Sequence, residues 1–328
     1  MKHLLLWALA LSTAALGATP PDLDSLPAAT SVLLQRDGRT LVETYARGAD
    51  ESTLHDTRSV TKSLTALTVA AAVQDGLLAW DEPVFHHFSE RAPFAHDGPA
   101  KRGITVGDLL TMSSALDCND WDDGSPGNEE HMYPQREWLR WVLDLPTRHV
   151  QRDASGRQPF AYCTAGVFLL GQLLERRAPG GLDAYQARRL FTPLGIGRWQ
   201  WSRSPSGEAM TGGGLRLSTR DLTRIAQMLL QQGSPVLTPD MVQRTLRVQR
   251  DGGRGMGYGQ LMWQRDFKTA CGPQRGWLMA GNGGNLVAVF IDSQTSVVLT
   301  RTHYNQRQMH EQSWAFVEAL LDRHVCGR

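Results

Sequence analysis

The sequence has few lysines and almost no net charge. Only four of its 34 basic residues are lysines, and 33 acidic residues leave a formal net charge of +1. Proteins that bind nucleic acids usually carry a basic patch or stripe, so no nucleic-acid partner is expected. After residue 18 the sequence lacks an apolar run of the roughly 20 residues that a membrane-spanning helix requires. No stable membrane span is therefore expected in the mature chain.

Cysteine is scarce as well, with four residues in 328, namely Cys118, Cys163, Cys271 and Cys326. Their spacing fits no zinc-binding pattern, and neither a metal ion nor a cofactor is predicted. Four cysteines in an exported chain suggest two disulfides, for which three pairings are possible. The pairing that we favour joins Cys118 to Cys163 and Cys271 to Cys326.

Residues 1–18 have the pattern of a secretory signal peptide. Lys2 gives a basic start, residues 4–11 form a short apolar core, and small residues predominate at 15–18. This apolar core is too short to span a membrane. We therefore expect residues 19–328 to form the mature protein, secreted or periplasmic.

Strand patterns occur at both ends of the mature chain. Asp37-Gly38 lies between apolar runs at 31–35 and 40–45, which is a strong signal for a β-hairpin. Near the other end, strands are predicted at 258–263, 276–280, 286–291 and 296–302, before a terminal helix at 307–325. The two ends are expected to form one antiparallel sheet from residues 28–48 and 256–303.

Helical patterns fill the middle of the chain. An apolar helix follows Ser59 and stops at Gly76, and further helices are predicted at 104–112, 136–144, 164–177, 182–191, 219–232 and 238–247, with a polar loop at 119–135. The sequence thus predicts an α+β fold in a single domain: an antiparallel sheet flanked by helices, with a helical subdomain at roughly 80–215. The crevice between sheet and subdomain is the expected site.

The first candidate site residues are Ser59 and Lys62, one helical turn apart at the start of the apolar helix. Residues three apart on a helix are neighbours, so the lysine amine can reach the serine hydroxyl and act as its base. Free backbone N–H groups in the first turn also favour a developing negative charge. The alternative is an ordinary buried helix whose lysine reaches solvent.

Two more segments carry candidate residues. Tyr162 precedes a predicted helix, and its phenol could pass a proton if a neighbouring cation such as Lys62 lowered its pKa. The glycine-rich segment 279–285 follows a predicted strand and could bring backbone N–H groups close to a substrate. The alternatives are a half-buried structural tyrosine and an ordinary β-turn. Four tryptophans lie in segments that could line the cleft, although core packing is the simpler explanation: Trp121, Trp138, Trp141 and Trp263.

Taken in order, Ser59-x-x-Lys62, Tyr162-x-Thr164 and the strand with Ala280-Gly281 resemble the motifs of the serine β-lactamase and penicillin-binding-protein superfamily. The similarity is greatest to its class C-like branch, which includes many esterases and amide hydrolases. The resemblance covers nearly the whole mature chain and implies a β-lactamase/transpeptidase-like fold. It also implies that Ser59 forms an acyl-enzyme and that Lys62 and Tyr162 share the general-base and general-acid roles.

The resemblance extends to the groups around the nucleophile. It implies an oxyanion hole formed by the N–H groups of Ser59 and Asn282. It also places Gly281, Gly283 and Thr164 next to the substrate. No metal ion takes part in the chemistry that the resemblance implies.

Two positions depart from the family pattern: Thr164 replaces the usual asparagine, and Met279 replaces the usual lysine or histidine. Without that cation, the carboxylate of a penicillin-like substrate loses a partner. The sequence therefore predicts an exported serine hydrolase that cleaves a small-molecule ester, amide or peptide substrate. The alternatives are a β-lactamase or D,D-peptidase-like penicillin-interactive enzyme, and a non-catalytic binding protein on the same scaffold.

Overall fold

The structure, a computed structural model, describes residues 22–148 and 158–327. The signal-peptide prediction for residues 1–18 lies outside these ranges. Within them are eleven strands: β1 (Ala29–Arg36), β2 (Arg39–Tyr45), β3 (His55–Asp56), β4 (Gln200–Trp201), β5 (Leu215–Leu217), β6 (Arg250–Gly253), β7 (Met256–Tyr258), β8 (Trp263–Thr269), β9 (Gly272–Gly281), β10 (Asn285–Phe290) and β11 (Thr295–Arg301).

Eight of these strands form one antiparallel sheet in the order β2-β1-β11-β10-β9-β8-β7-β6. The two ends of the chain meet in this sheet, where β1 pairs with β11 and Leu34 lies opposite Val297. The predicted hairpin is present, and Asp37 and Gly38 form its two-residue turn with φ of 50° and 74°. Such turns require this left-handed conformation. The prediction that both chain ends share one sheet is confirmed.

The predicted strand at 258–263 is wrong. β7 ends at Tyr258 and β8 begins at Trp263, and the chain turns between them: Leu261 has φ of 54° and donates its N–H to the carbonyl of Leu110. The sequence also contains no strand signal for β6 and β7, because five glycines between 252 and 259 give this segment the composition of a loop. A separate small sheet, in the order β3-β5-β4, lies outside the predicted pattern too.

Ten α-helices lie in the described ranges: α1 (Val60–Gln74), α2 (Pro99–Arg102), α3 (Val106–Leu110), α4 (Glu129–Met132), α5 (Trp138–Asp144), α6 (Thr164–Arg177), α7 (Gly181–Gln186), α8 (Thr219–Leu230), α9 (Pro239–Leu246) and α10 (Met309–His324). Short 3₁₀ segments occur at Leu23–Ser25, Val84–Arg91 and Thr192–Leu194, and a π segment occurs at Ala187–Phe191. The predicted loop at 119–135 contains α4, so the prediction is wrong at that point. None of these helices is long and apolar enough to cross a membrane.

The central helix of the fold is α1, whose residues are buried without interruption from Val60 to Ala72. It packs against α6 and β9. Its buried hydroxyls are paired with the segment 211–215: the Thr61 hydroxyl accepts from the Leu215 N–H (3.1 Å), and the Thr65 hydroxyl donates to the Thr211 carbonyl (2.8 Å). These bonds satisfy polar groups that would be costly to bury alone. They also fix the first turns of α1, where the candidate nucleophile lies.

Both disulfides have the favoured pairing. Cys118 is joined to Cys163 and Cys271 to Cys326, and no cysteine in the described ranges is free. One continuous cluster of buried apolar side chains includes residues of the sheet and of the helices on both sides of it.

Candidate active site

Ser59 and Lys62 meet at the N-terminus of α1. Ser59 is half-buried and immediately precedes the helix, and Lys62 lies one turn further on with 1% of its surface exposed. The Lys62 Nζ is 3.0 Å from the Ser59 Oγ and 2.6 Å from the carbonyl oxygen of Gly212. The lysine therefore does not reach solvent, and its amine is aimed at the serine hydroxyl.

The Gly212 carbonyl is a site component that sequence reasoning missed. It belongs to the glycine stretch before β5, and its only sequence signal is the run Gly212-Gly213-Gly214. A Cβ at Gly212 would lie 2.6 Å from the Cγ2 atom of Thr164, so only glycine allows this approach. Thr164 itself is fully buried, and its hydroxyl has no hydrogen-bond partner in the described ranges. In this conformation that hydroxyl has no contact with solvent.

Tyr162 is the third group at Ser59. Its phenol is hydrogen-bonded to Ser59, and the Lys62 Nζ lies 5.0 Å from the centre of its ring. Burial raises the pKa of Tyr162, and the Lys62 charge and the Ser59 hydrogen bond counteract this only in part. The expected lowering of this pKa is therefore wrong in its net direction, because desolvation outweighs the cation.

The end of β9 lies against the backbone of Ser59. A Cβ at Gly281 would be 2.0 Å from the Thr57 carbonyl oxygen and 3.2 Å from the Ser59 nitrogen. Gly281 thus permits a close approach that any side chain would prevent. Among the described residues, the N–H groups of Ser59 and of the adjacent Asn282 have no hydrogen-bond acceptor.

The turn after β9 is held by side-chain hydrogen bonds. The Asn282 side chain accepts from the Asn305 N–H (2.8 Å), and its carbonyl accepts from the Asn285 side chain (2.8 Å). Gly283 has φ of 90° and donates its N–H to the Met309 Sδ (3.1 Å). The Gly283 N–H is therefore occupied, whereas the Asn282 N–H is not.

Asp120 is a second residue that sequence reasoning missed. It lies in the segment 119–135, which sequence patterns present as a polar loop, yet it is largely buried and within electrostatic reach of Lys62. Burial raises the pKa of this carboxyl to about 6, while the Lys62 charge favours its ionised form. A signal was present: once Cys118 pairs with Cys163, Asp120 must lie near Tyr162.

Two of the four tryptophans lie beside Tyr162. The Trp121 ring is stacked on the Tyr162 ring with centroids 5.5 Å apart, and Trp263 is stacked on Tyr162 at 5.9 Å. Trp121 remains 62% exposed, so it presents an apolar surface to solvent next to Tyr162. Trp138 packs on Phe168 in the core instead. Trp141 is partly buried against the same core.

A half-buried serine bonded to a buried lysine and a tyrosine, next to the end of an inner strand of an antiparallel sheet, is typical of serine hydrolases of the β-lactamase/transpeptidase type. A sequence profile of the Beta-lactamase family matches residues 26–319. The chain therefore belongs to the β-lactamase family. The predicted fold class is confirmed as well.

Several relatives have known names. The chain is 27% identical over 233 residues to a 6-aminohexanoate-dimer hydrolase from Paenarthrobacter ureafaciens, a match that spans 67% of this chain and 57% of that relative. Its fold is similar to that of EstCE1, a hydrolase with promiscuous acyltransferase activity (TM-score 0.71, 18% identity, 89% and 94% of the two chains). It is also similar to a D-stereospecific amidohydrolase from Streptomyces sp. (TM-score 0.67, 17% identity, 92% and 97%).

Proposed function

We propose that this chain is an exported serine hydrolase that cleaves an ester or amide bond through an acyl-enzyme on Ser59. The observation that carries the proposal is the 3.0 Å contact between the Ser59 Oγ and the Lys62 Nζ, with the Tyr162 phenol bonded to the same serine. A serine nucleophile needs a base within hydrogen-bond reach. The remaining groups around Ser59 can be assigned roles from their geometry.

The acylation step uses both titratable neighbours. As the Ser59 Oγ forms a bond to the substrate carbonyl carbon, its proton passes to the Lys62 amine, and the carbonyl electron pair moves to the oxygen. When the tetrahedral intermediate collapses, the leaving group takes a proton from the Tyr162 phenol, which regains one from Lys62. The raised pKa of Tyr162 keeps the phenol protonated at neutral pH, as a general acid requires. Water then releases the acyl group with the roles reversed.

The oxyanion is assigned to two backbone donors. The N–H groups of Ser59 and Asn282 have no other acceptor among the described residues. Gly281, the last residue of β9, lets the Asn282 segment approach the Ser59 segment closely. Two such donors stabilise the negative charge that develops on the carbonyl oxygen. Gly281 has the role of permitting the approach, and contact of Gly283 and Thr164 with the substrate stays a prediction.

The substrate is proposed to be a small ester or amide without a carboxylate next to the scissile bond. Met279 takes the place of the family's cation and is 1% exposed, so it offers a carboxylate no partner. The exposed ring of Trp121, stacked on the buried ring of Trp263, provides an apolar surface for the acyl or leaving group. The names of the relatives, a dimer hydrolase, an acyltransferase-active hydrolase and an amidohydrolase, support acyl transfer from esters and amides. The two disulfides support export to an oxidising compartment.

The test is hydrolysis of short-chain p-nitrophenyl esters and of matched p-nitroanilides by the parent protein and by Ser59→Ala. We expect turnover by the parent and a loss of nearly all of it in the variant, with both proteins folded by circular dichroism. Equal turnover by the two proteins would mean that another group is the nucleophile.

A further inference from the structure

The segment 118–121 runs alongside the segment that carries Tyr162 and contacts it through three of its four residues. Cys118 is joined to Cys163. Asp120 donates its N–H to the Tyr162 carbonyl (2.8 Å), and its Oδ2 accepts from the Thr164 N–H (2.7 Å). The next residue, Trp121, stacks on the Tyr162 ring at an interplanar angle of 5°.

Asp120 is the centre of this arrangement because it bonds in three directions. Its second carboxylate oxygen, Oδ1, accepts from the Glu129 N–H at the start of α4 (3.0 Å). One carboxylate thus accepts hydrogen bonds from the N–H groups of the first residues of two helices, α4 and α6. An ionised carboxylate offers acceptors on both oxygens, whereas an asparagine side chain has one acceptor and one donor.

The position of the Tyr162 phenol depends on this backbone. A displacement of about 1 Å at a catalytic group can cost about a hundredfold in rate. We propose that Asp120 is a positioning residue, which holds the backbone on both sides of Tyr162 so that the phenol stays bonded to Ser59. This role rests on the proposed function, because Asp120 acts through Tyr162 and touches no reacting atom.

The charge of Asp120 is set by the groups around it. The Lys62 side chain faces it from α1, Glu129 from α4, and the phenols of Tyr133 and Tyr162 from the adjoining segments. Burial and Glu129 favour the neutral carboxyl, and Lys62 favours the carboxylate, with a resulting pKa of about 6. A protonated carboxyl oxygen becomes a donor and a much weaker acceptor, so the hydrogen bond from one of the two backbone N–H groups is weakened in acid.

The experiment compares Asp120→Asn with Asp123→Asn, a matched exposed position on the same loop. We expect kcat of Asp120→Asn for p-nitrophenyl ester hydrolysis to fall about tenfold or more, with KM changed less than about threefold. We also expect kcat of the parent to decline below about pH 6, where Asp120 becomes protonated, and we expect this decline to be absent from the variant. Asp123→Asn is expected to match the parent in all three respects. Equal kcat in the two variants would overturn the proposal.

A double mutant distinguishes positioning from general destabilisation. In the background of Tyr162→Phe, the change Asp120→Asn is expected to alter the rate less than about twofold, because the group it positions is gone. A full tenfold effect in that background would contradict the proposal. If Ser59→Ala or Tyr162→Phe leaves the activity intact, the proposed function fails. If both abolish activity and Asp120→Asn does not, only the positioning role fails.

A measurement on the unmodified protein covers the case in which Asp120→Asn does not fold. Amide hydrogen-exchange protection of Thr164 and Glu129 is expected to decrease between pH 7 and pH 5. Protection of Glu130, whose N–H bonds to the neutral Asn128 side chain (3.0 Å), is expected to stay constant. Unchanged protection of Thr164 and Glu129 across this range would overturn the proposal.

Discussion

The proposed chemistry depends on the surroundings of one hydroxyl. The Ser59 Oγ has an amine 3.0 Å away and a phenol bonded to it, and both partners are shielded from bulk water. The Lys62 amine also donates a hydrogen bond to the Gly212 carbonyl oxygen (2.6 Å). Because Lys62 and Tyr162 belong to separate backbone segments, the loss of one side chain is expected to leave the other in place.

This arrangement predicts the effect of Tyr162→Phe. The substitution removes only the hydroxyl, so the ring keeps its stacking on Trp121 and Trp263. We expect kcat for ester hydrolysis to fall by about a hundredfold or more, the usual scale for loss of general acid–base catalysis. Steady-state kinetics measure the effect. The control is Tyr45→Phe, which changes a remote tyrosine on β2 and is expected to leave kcat unchanged. A Tyr162→Phe rate equal to that of the parent would remove this residue from the mechanism.

The sequence predicted those parts of the site that are local in the chain. Ser59 and Lys62 are one helical turn apart, so their contact follows from helix geometry. The contacts of Gly212 with Lys62 and of Asp120 with Thr164 join residues far apart in sequence. No local pattern encodes such contacts. The net direction of the Tyr162 pKa depended on the degree of burial, which the sequence alone does not supply.

The helices and strands show the same contrast: local sequence patterns predicted some of them, and others depend on contacts between distant residues. The hairpin at Asp37-Gly38 and helix α6 were predictable because their turn residues and apolar periods are strong. The strands β6 and β7 were not, because they are held by pairing, β7 with β8 and β6 with β7, and not by their glycine-rich composition. The short helix α4 is likewise fixed by the bond of its first N–H to Asp120.

The two disulfides are expected to contribute similarly to stability and differently to activity. They close loops of similar length, with sequence separations of 45 and 55, so the chain-entropy model gives about 4 kcal/mol for each. Only Cys163 is adjacent to a candidate catalytic residue, Tyr162. Replacing Cys118 and Cys163 by alanine should therefore lower both the free energy of unfolding and kcat. Replacing Cys271 and Cys326 should lower the free energy of unfolding alone.

Urea unfolding curves and ester turnover of both double variants check this prediction, at a temperature where both are folded. Similar kcat losses in the two variants would mean that the Cys118–Cys163 disulfide has no specific role at the site. In the parent, thiol titration of the folded protein should detect no free cysteine. Two or more titratable thiols would contradict the disulfides.

As the pH falls, two buried groups are expected to change the free energy of unfolding in opposite directions. Burial lowers the pKa of His55 from 6.5 to about 4, and its Nε2 has no hydrogen-bond partner in the described ranges. As the pH falls from 6.5 to 4, the unfolded chain therefore binds a proton that the folded chain does not. This lowers the free energy of unfolding by about 3 kcal/mol, at about 1.4 kcal/mol per pH unit.

Asp120 acts in the opposite direction. Its pKa is about 6 in the folded protein and 3.8 in the unfolded reference, so the folded chain binds the extra proton as the pH falls from 6 to 4. This adds up to about 3 kcal/mol to the unfolding free energy over that range. Relative to the parent, His55→Gln should gain stability on acidification from pH 6.5 to 4, and Asp120→Asn should lose it. Urea unfolding at several pH values measures both slopes, and parallel curves for the three proteins would contradict this assignment.

The central claim is that Ser59 carries the acyl group during turnover. The most direct measurement is to quench the protein in acid during hydrolysis of a slowly deacylating p-nitrophenyl ester, and to locate the adduct by peptide mass spectrometry. The account predicts one acyl group, on the peptide that contains Ser59, and none in Ser59→Ala. An acyl group on another residue, or turnover by the parent without any adduct on Ser59, would contradict it.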